Sequence, residues 1–90
     1  MKKFKILVVD DERIVRESLF HWFEEEGYDV ETAEDALIAL KKFDVGKYDL
    51  ALLDMKMPGM SGLELLAKIK EIDSDCIVIL ITAFASLPSA

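Results

Sequence analysis

One cysteine, one histidine, two prolines and four glycines are all that this 90-residue chain holds of those types. With Cys76 alone, no internal disulfide can form, which suits a reducing cytoplasm. Cys76 opens an aliphatic run and is read as packing rather than chemistry. No apolar run approaches the roughly 20 residues that span a bilayer, so no membrane association is expected. The start Met1-Lys2-Lys3 is basic, but Asp10 and Asp11 cut short the apolar run after it, and it is not read as a signal peptide. Positive charge is scarce too: 11 Lys and Arg face 18 Asp and Glu, a net −7. That balance argues against direct nucleic-acid binding and fits a protein that recruits cations or basic partners. Internal repeats, linkers and low-complexity tracts are lacking, and the length suits one small domain.

What is present is a regular alternation of strand-like and helix-like segments. Phe4–Val9 is a short apolar run of the kind found in a central strand buried on both faces. A helical pattern follows from about Arg13 to Glu26, with Val15, Leu19, Trp22 and Phe23 on its inner side and Gly27 as the residue that closes it. Tyr28–Thr32 reads as a more polar strand nearer an edge. Ala33, Ala36, Leu37, Leu40 and Phe43 then form an apolar stripe at helical spacing that ends near Gly46. Tyr48–Leu53 is the third strand. Ser61 and Glu64 have the spacing of a capping box, opening a helix to about Ile72 with Leu65, Leu66 and Ile69 inward. Cys76–Ile81 is the fourth strand, and Pro88 disfavours a helix in the tail. The pattern βαβαβαβ predicts an α/β fold, a doubly wound parallel sheet in the order 2-1-3-4.

Three aspartates stand at predicted strand ends: Asp10 and Asp11 after Ile6–Val9, and Asp54 after Leu50–Leu53. In such a sheet the carboxyl ends of the strands share one edge, and ligands bind there. Three like charges in one pocket repel unless a cation joins them, and an oxygen-only donor set suits Mg²⁺. The plainer reading is that aspartate follows strands as a turn former or helix cap. A carboxylate in such a site can also attack phosphorus to give an aspartyl-phosphate. Thr82 ends the fourth strand on the same edge, where its hydroxyl could donate to a phosphoryl oxygen; alone it is equally a strand-favouring residue.

The segments Val8-Val-Asp-Asp-Glu12, Leu52-Leu-Asp-Met-Lys-Met-Pro-Gly-Met-Ser-Gly62 and Ile81-Thr-Ala83 resemble the receiver domain of bacterial two-component response regulators. The wording is nearest to nitrogen-regulation-type transcriptional activators. The resemblance implies a flavodoxin-like receiver over residues 1–84, followed by an irregular tail at 85–90. It implies Asp54 as phosphoacceptor and Asp11 as a direct Mg²⁺ ligand. Asp10 would support the metal through water or from behind, and the Lys56 backbone carbonyl would complete the protein ligands. Thr82 becomes the switch hydroxyl, and small Ala83 leaves the phosphodonor access. The side chains of Lys56 and Phe84 lie where the family tunes phosphoryl lifetime. Pro58, Gly59 and Gly62 shape the loop under the site. The implied partners are a sensor histidine kinase and then an effector domain or second receiver. The implied activity is a signalling phosphoacceptor's, catalysing only its own phosphorylation and dephosphorylation, in the cytoplasm.

The sequence also departs from that family. A complete receiver continues with a helix, a fifth strand and a fifth helix, and the strand ends in a lysine that pairs with the phosphoryl group. None of this is expected here, and Lys56, Lys68 and Lys70 do not take that lysine's place. Ile77–Ile81 is then expected to be a bare aliphatic edge, open to pairing in a homo-oligomer. The rival reading is therefore a switch-impaired receiver that acts as a dimerisation or assembly element. An Mg²⁺-dependent phosphohydrolase is a weaker rival, because its second aspartate would fall at Lys56. His21 is read as a solvated helix residue, Trp22 and Phe23 as packing against the sheet, Glu24–Glu26 as a solvated helix end, and Met55, Met57 and Met60 as adaptable packing.

Overall fold

A computed structural model describes residues 3–81; Thr82, Ala83, Phe84 and the 85–90 tail lie outside the described residues. Seven elements follow one another: β1 (Lys5–Val9), α1 (Arg13–Glu25), β2 (Asp29–Ala33), α2 (Ala36–Lys42), β3 (Leu50–Asp54), α3 (Gly62–Ile72) and β4 (Ile77–Ile81). All strand pairs are parallel, in the order β2-β1-β3-β4. That is the architecture expected from the sequence.

The sheet sorts its side chains by parity. Leu7 and Val9 of β1 lie beside Ala51 and Leu53 of β3, and this face meets Ala36 and Ala39 of α2 and Leu65 and Ile69 of α3 in the main core. The opposite face presents Ile6, Val8 and Val30, with Leu19, Phe20 and Phe23 of α1 packed on them. Both faces of β1 are therefore buried, as its unbroken apolar run predicts.

The helix ends obey local chemistry. At the end of α1, Gly27 has φ of +95°, its N–H donates to the Glu24 carbonyl, and the Tyr28 N–H donates to the Phe23 carbonyl. This Schellman pair is what a closing glycine permits. Asp35 caps α2 by accepting the Ile38 N–H at 2.8 Å. At α3, Ser61 Oγ accepts the Glu64 N–H and the Glu64 side chain accepts the Ser61 N–H, completing the predicted capping box.

Two packing expectations need correction. Trp22 is 57% exposed, and Phe20 takes the inward place beside Leu19 and Phe23. In the helical stripe of residues 33–43, Ala33 belongs to β2, and Leu37 is 65% exposed. Because the α2 cap sits at Asp35, the helical phase starts at Ala36 and turns Leu37 outward, while Ala39 and then Phe43 fall inward. Met57 is buried, Met60 packs at the core margin and Met55 is exposed. His21 and Glu24–Glu26 are exposed, as read from sequence. Cys76 is buried, and burial pushes its thiol pKa up, as fits a packing residue.

Candidate functional site

The three aspartates meet. Asp10 follows β1, Asp11 follows it by one residue, and Asp54 ends β3, the strand paired beside β1. One carboxylate oxygen from each lies within 4.8 Å of the others. Asp10 is buried, Asp11 is exposed, and Asp54 keeps 9% of its surface open. The pocket thus has a buried floor and an open rim, as the rule for ligand sites at parallel strand ends predicts.

Each carboxylate is held differently. Asp10 Oδ1 accepts the Glu12 N–H at 2.9 Å, closing an Asx-type turn into α1. The Asp10 carbonyl accepts the Arg16 guanidinium at 2.8 Å, so the loop is pinned from the first turns of α1. Asp54 Oδ1 accepts the Lys56 N–H at 3.2 Å, which folds the following peptide back over the site. The Asp54 carboxyl is raised above its ordinary pKa, chiefly by burial. The Lys56 N–H opposes that rise, while the Asp10 charge and a hydrogen bond shared with Asp11 add to it.

This donor set fits a hard cation. All three groups offer oxygen, and no His or Cys joins them among the described residues. A divalent ion would offset the burial of the Asp54 charge and the crowding by Asp10 and Asp11 that adds to it, and oxygen ligands with open sides suit Mg²⁺, which keeps several waters. The site residues Asp10, Asp11, Asp54 and the Lys56 peptide are brought together; Thr82, Ala83 and Phe84 are outside the described residues.

Sequence reasoning overlooked Arg16. A lone arginine in a helical pattern carries no site signature, and its contact is to a backbone carbonyl that only the loop path brings near. Gly62, expected to shape the loop under the site, does so by a close backbone approach. Gly62 begins α3, and its N–H donates to the Met55 carbonyl at 3.0 Å, closing the loop of residues 55–62 on the residue after Asp54.

Comparison with known proteins gives a consistent picture. A family description, that of the response regulator receiver domain, matches residues 6–90. Sporulation initiation phosphotransferase F of Bacillus subtilis (strain 168) is 44% identical over 87 residues, covering 97% of this chain and 70% of that protein. Transcriptional regulatory protein ResD of the same organism is 42% identical over 76 residues, covering 84% of this chain and 32% of that one. The chain thus spans most of the first relative and about a third of the second. Among solved structures, the response regulator TrrA of Thermotoga maritima in complex with Mg²⁺-BeF is 49% identical, with a TM-score of 0.83 over 94% of this chain and 72% of that one. TrrA in complex with the histidine kinase ThkA gives 0.84 at the same identity, over 100% of this chain and 76% of that one.

Proposed function

The chain belongs to the response regulator receiver domain family, and we propose that within it Asp54 is the phosphoacceptor of a two-component pathway. One observation carries this reading. Asp54 is the strand-end carboxylate that shares a pocket with both Asp10 and Asp11. In the proposed reaction a carboxylate oxygen of Asp54 attacks phosphorus on a phosphohistidine. The O–P bond forms as the N–P bond breaks, and the imidazole leaves.

Asp11, Asp54 and the Lys56 backbone carbonyl would hold Mg²⁺, with Asp10 supporting them from behind or through water. The ion, when bound, neutralises phosphoryl oxygens. Asp10 keeps the β1–α1 turn closed, and the Lys56 N–H orients the acceptor carboxylate. Thr82 acts as the switch hydroxyl, and Ala83 leaves the donor room. The Lys56 and Phe84 side chains set how long the phosphoryl group survives. The receiver domain spans residues 1–84.

The partner that supplies the phosphoryl group is a sensor histidine kinase. A 49% identical response regulator in complex with such a kinase supports this. The output passes to an effector domain or a second receiver, because an added charge of about −1.5 to −2 is enough to bias a two-state surface. The proposed setting is the cytoplasm, which a single cysteine suits.

A second reading, assembly through β4, has its own observation. β4 is an edge of the described sheet, and Ile77 and Ile79 are 52% and 45% exposed. Strand pairing between two copies would satisfy the open backbone edge and flank these side chains.

Transfer from a radiolabelled phospho-kinase tests the main reading. Label should move to the wild-type chain and not to Asp54→Asn. Equal labelling of the two would place the acceptor elsewhere.

A further inference from the structure

Gly62 occupies a position where no side chain fits. It is buried at the start of α3. A Cβ built on it would lie 2.9 Å from both the Asp54 carbonyl carbon and the Met55 Cα, with the Asp54 carbonyl oxygen nearer still. All three are backbone atoms, in a close-packed region that cannot yield as the tip of a flexible side chain can. The demand is for space and not for an unusual backbone angle, since Gly62 is not among the glycines with positive φ.

The close approach ties α3 to the acidic site. The Gly62 N–H donates to the Met55 carbonyl, and the Met55 N–H donates to the Ile81 carbonyl of β4. Met57, inside the closed loop, is buried in the main core with Leu65. The capping box at Ser61 and Glu64 fixes where the helix begins. The end of α3 therefore sets the position of the Asp54–Met55 peptide. That peptide in turn aims the Asp54 carboxylate and the Lys56 N–H that binds it at 3.2 Å.

We infer that Gly62 is a positioning residue for cation binding. By having no side chain, it lets α3 hold the Asp54–Lys56 backbone where the three carboxylates converge. The inference rests on the Mg²⁺ reading of Asp10, Asp11 and Asp54, and sharpens it.

Calorimetric titration of the 90-residue chain with Mg²⁺ tests it, alongside thermal melting without the ion. Gly62→Ala should weaken Mg²⁺ binding about tenfold or more, the scale on which groups supporting metal ligands act, although every carboxylate remains. Gly27→Ala is the comparison. Gly27 has φ of +95° and open space around it, so that variant should melt lower yet bind Mg²⁺ as the wild type does. A merely structural role for Gly62 would give the same pattern as Gly27→Ala, and that result would overturn the inference while leaving the metal reading intact. Absence of Mg²⁺ binding by the wild type would overturn both. Should Gly62→Ala fail to fold, amide exchange in the wild type decides: Mg²⁺ should slow exchange of the Gly62 N–H, and an unchanged rate overturns the inference.

Discussion

Asp54 is an expensive residue until something joins it. Burial and the neighbouring Asp10 and Asp11 raise its carboxyl pKa, so the folded chain binds that proton more tightly than the unfolded chain does. The sign follows by linkage: stability falls as pH rises from the ordinary aspartate value through the raised one, and the penalty is fully present above the raised value. Without Mg²⁺, Asp54→Asn should therefore melt higher than the wild type at pH 7, because the amide carries no charge and its oxygen can still accept the Lys56 N–H. Added Mg²⁺ should stabilise the wild type and do little for the variant. Thermal melts of both proteins check this, and a lower melting point for Asp54→Asn without metal would contradict it. The aspartate trio was legible in the sequence because strand ends and carboxylates are both local signals. Arg16 was not, because its partner is a carbonyl six residues back that only the folded turn presents. Trp22 was misjudged for a related reason. It neighbours an inward stripe of Leu19, Phe20 and Phe23, and one residue along a helix turns a side chain through about 100°.

At the scale of elements, end chemistry decided what could be read. The Ser61–Glu64 capping box and the closing Gly27 are written in adjacent residues, and both ends form as expected. Ser61→Ala should cost about 1 kcal/mol, the usual value for losing such a cap. Chemical denaturation would detect it, and no change would mean that packing of Leu65 and Ile69 alone sets the α3 start. The phase of α2 was harder to read. Ala33 pairs with Val9 as the last residue of β2, which a helical pattern running through residues 33–43 conceals. Apolar spacing alone cannot tell where a strand yields to a helix when alanine suits both; the Asp35 cap settles it.

The whole molecule is unevenly covered. The face under α2 and α3 is deeply buried, whereas the α1 face leaves Ile77 and Ile79 open at the β4 edge. If that edge drives assembly, the 90-residue chain should sediment as a concentration-dependent oligomer, and Ile79→Lys should shift it toward monomer. A monomer at all concentrations would refute assembly through β4. The end of the sheet opposite the acidic pocket makes a separate prediction about acid. The Tyr48 hydroxyl donates to Glu31 at 2.6 Å and lowers the Glu31 carboxyl pKa, with Lys5 adding to the effect. The Gly46 N–H, then the Asp75 and Cys76 N–H groups, lower that of Asp73. Depressed carboxyl values stabilise the fold above the ordinary carboxylate range and lose that contribution as pH falls through the lowered values. Asp73→Asn should therefore weaken the fold at neutral pH and flatten its loss of stability toward acid. Denaturation midpoints between about pH 3 and pH 7 would show this, and parallel curves for the two proteins would contradict it. The account as a whole turns on Asp54, and the most direct measurement is the intact mass of the chain after incubation with acetyl phosphate and Mg²⁺. A single phosphoryl adduct on the wild type, missing from Asp54→Asn and from wild type kept without Mg²⁺, is the predicted result. A folded wild-type chain that gains no adduct, or an adduct that persists in Asp54→Asn, would contradict it.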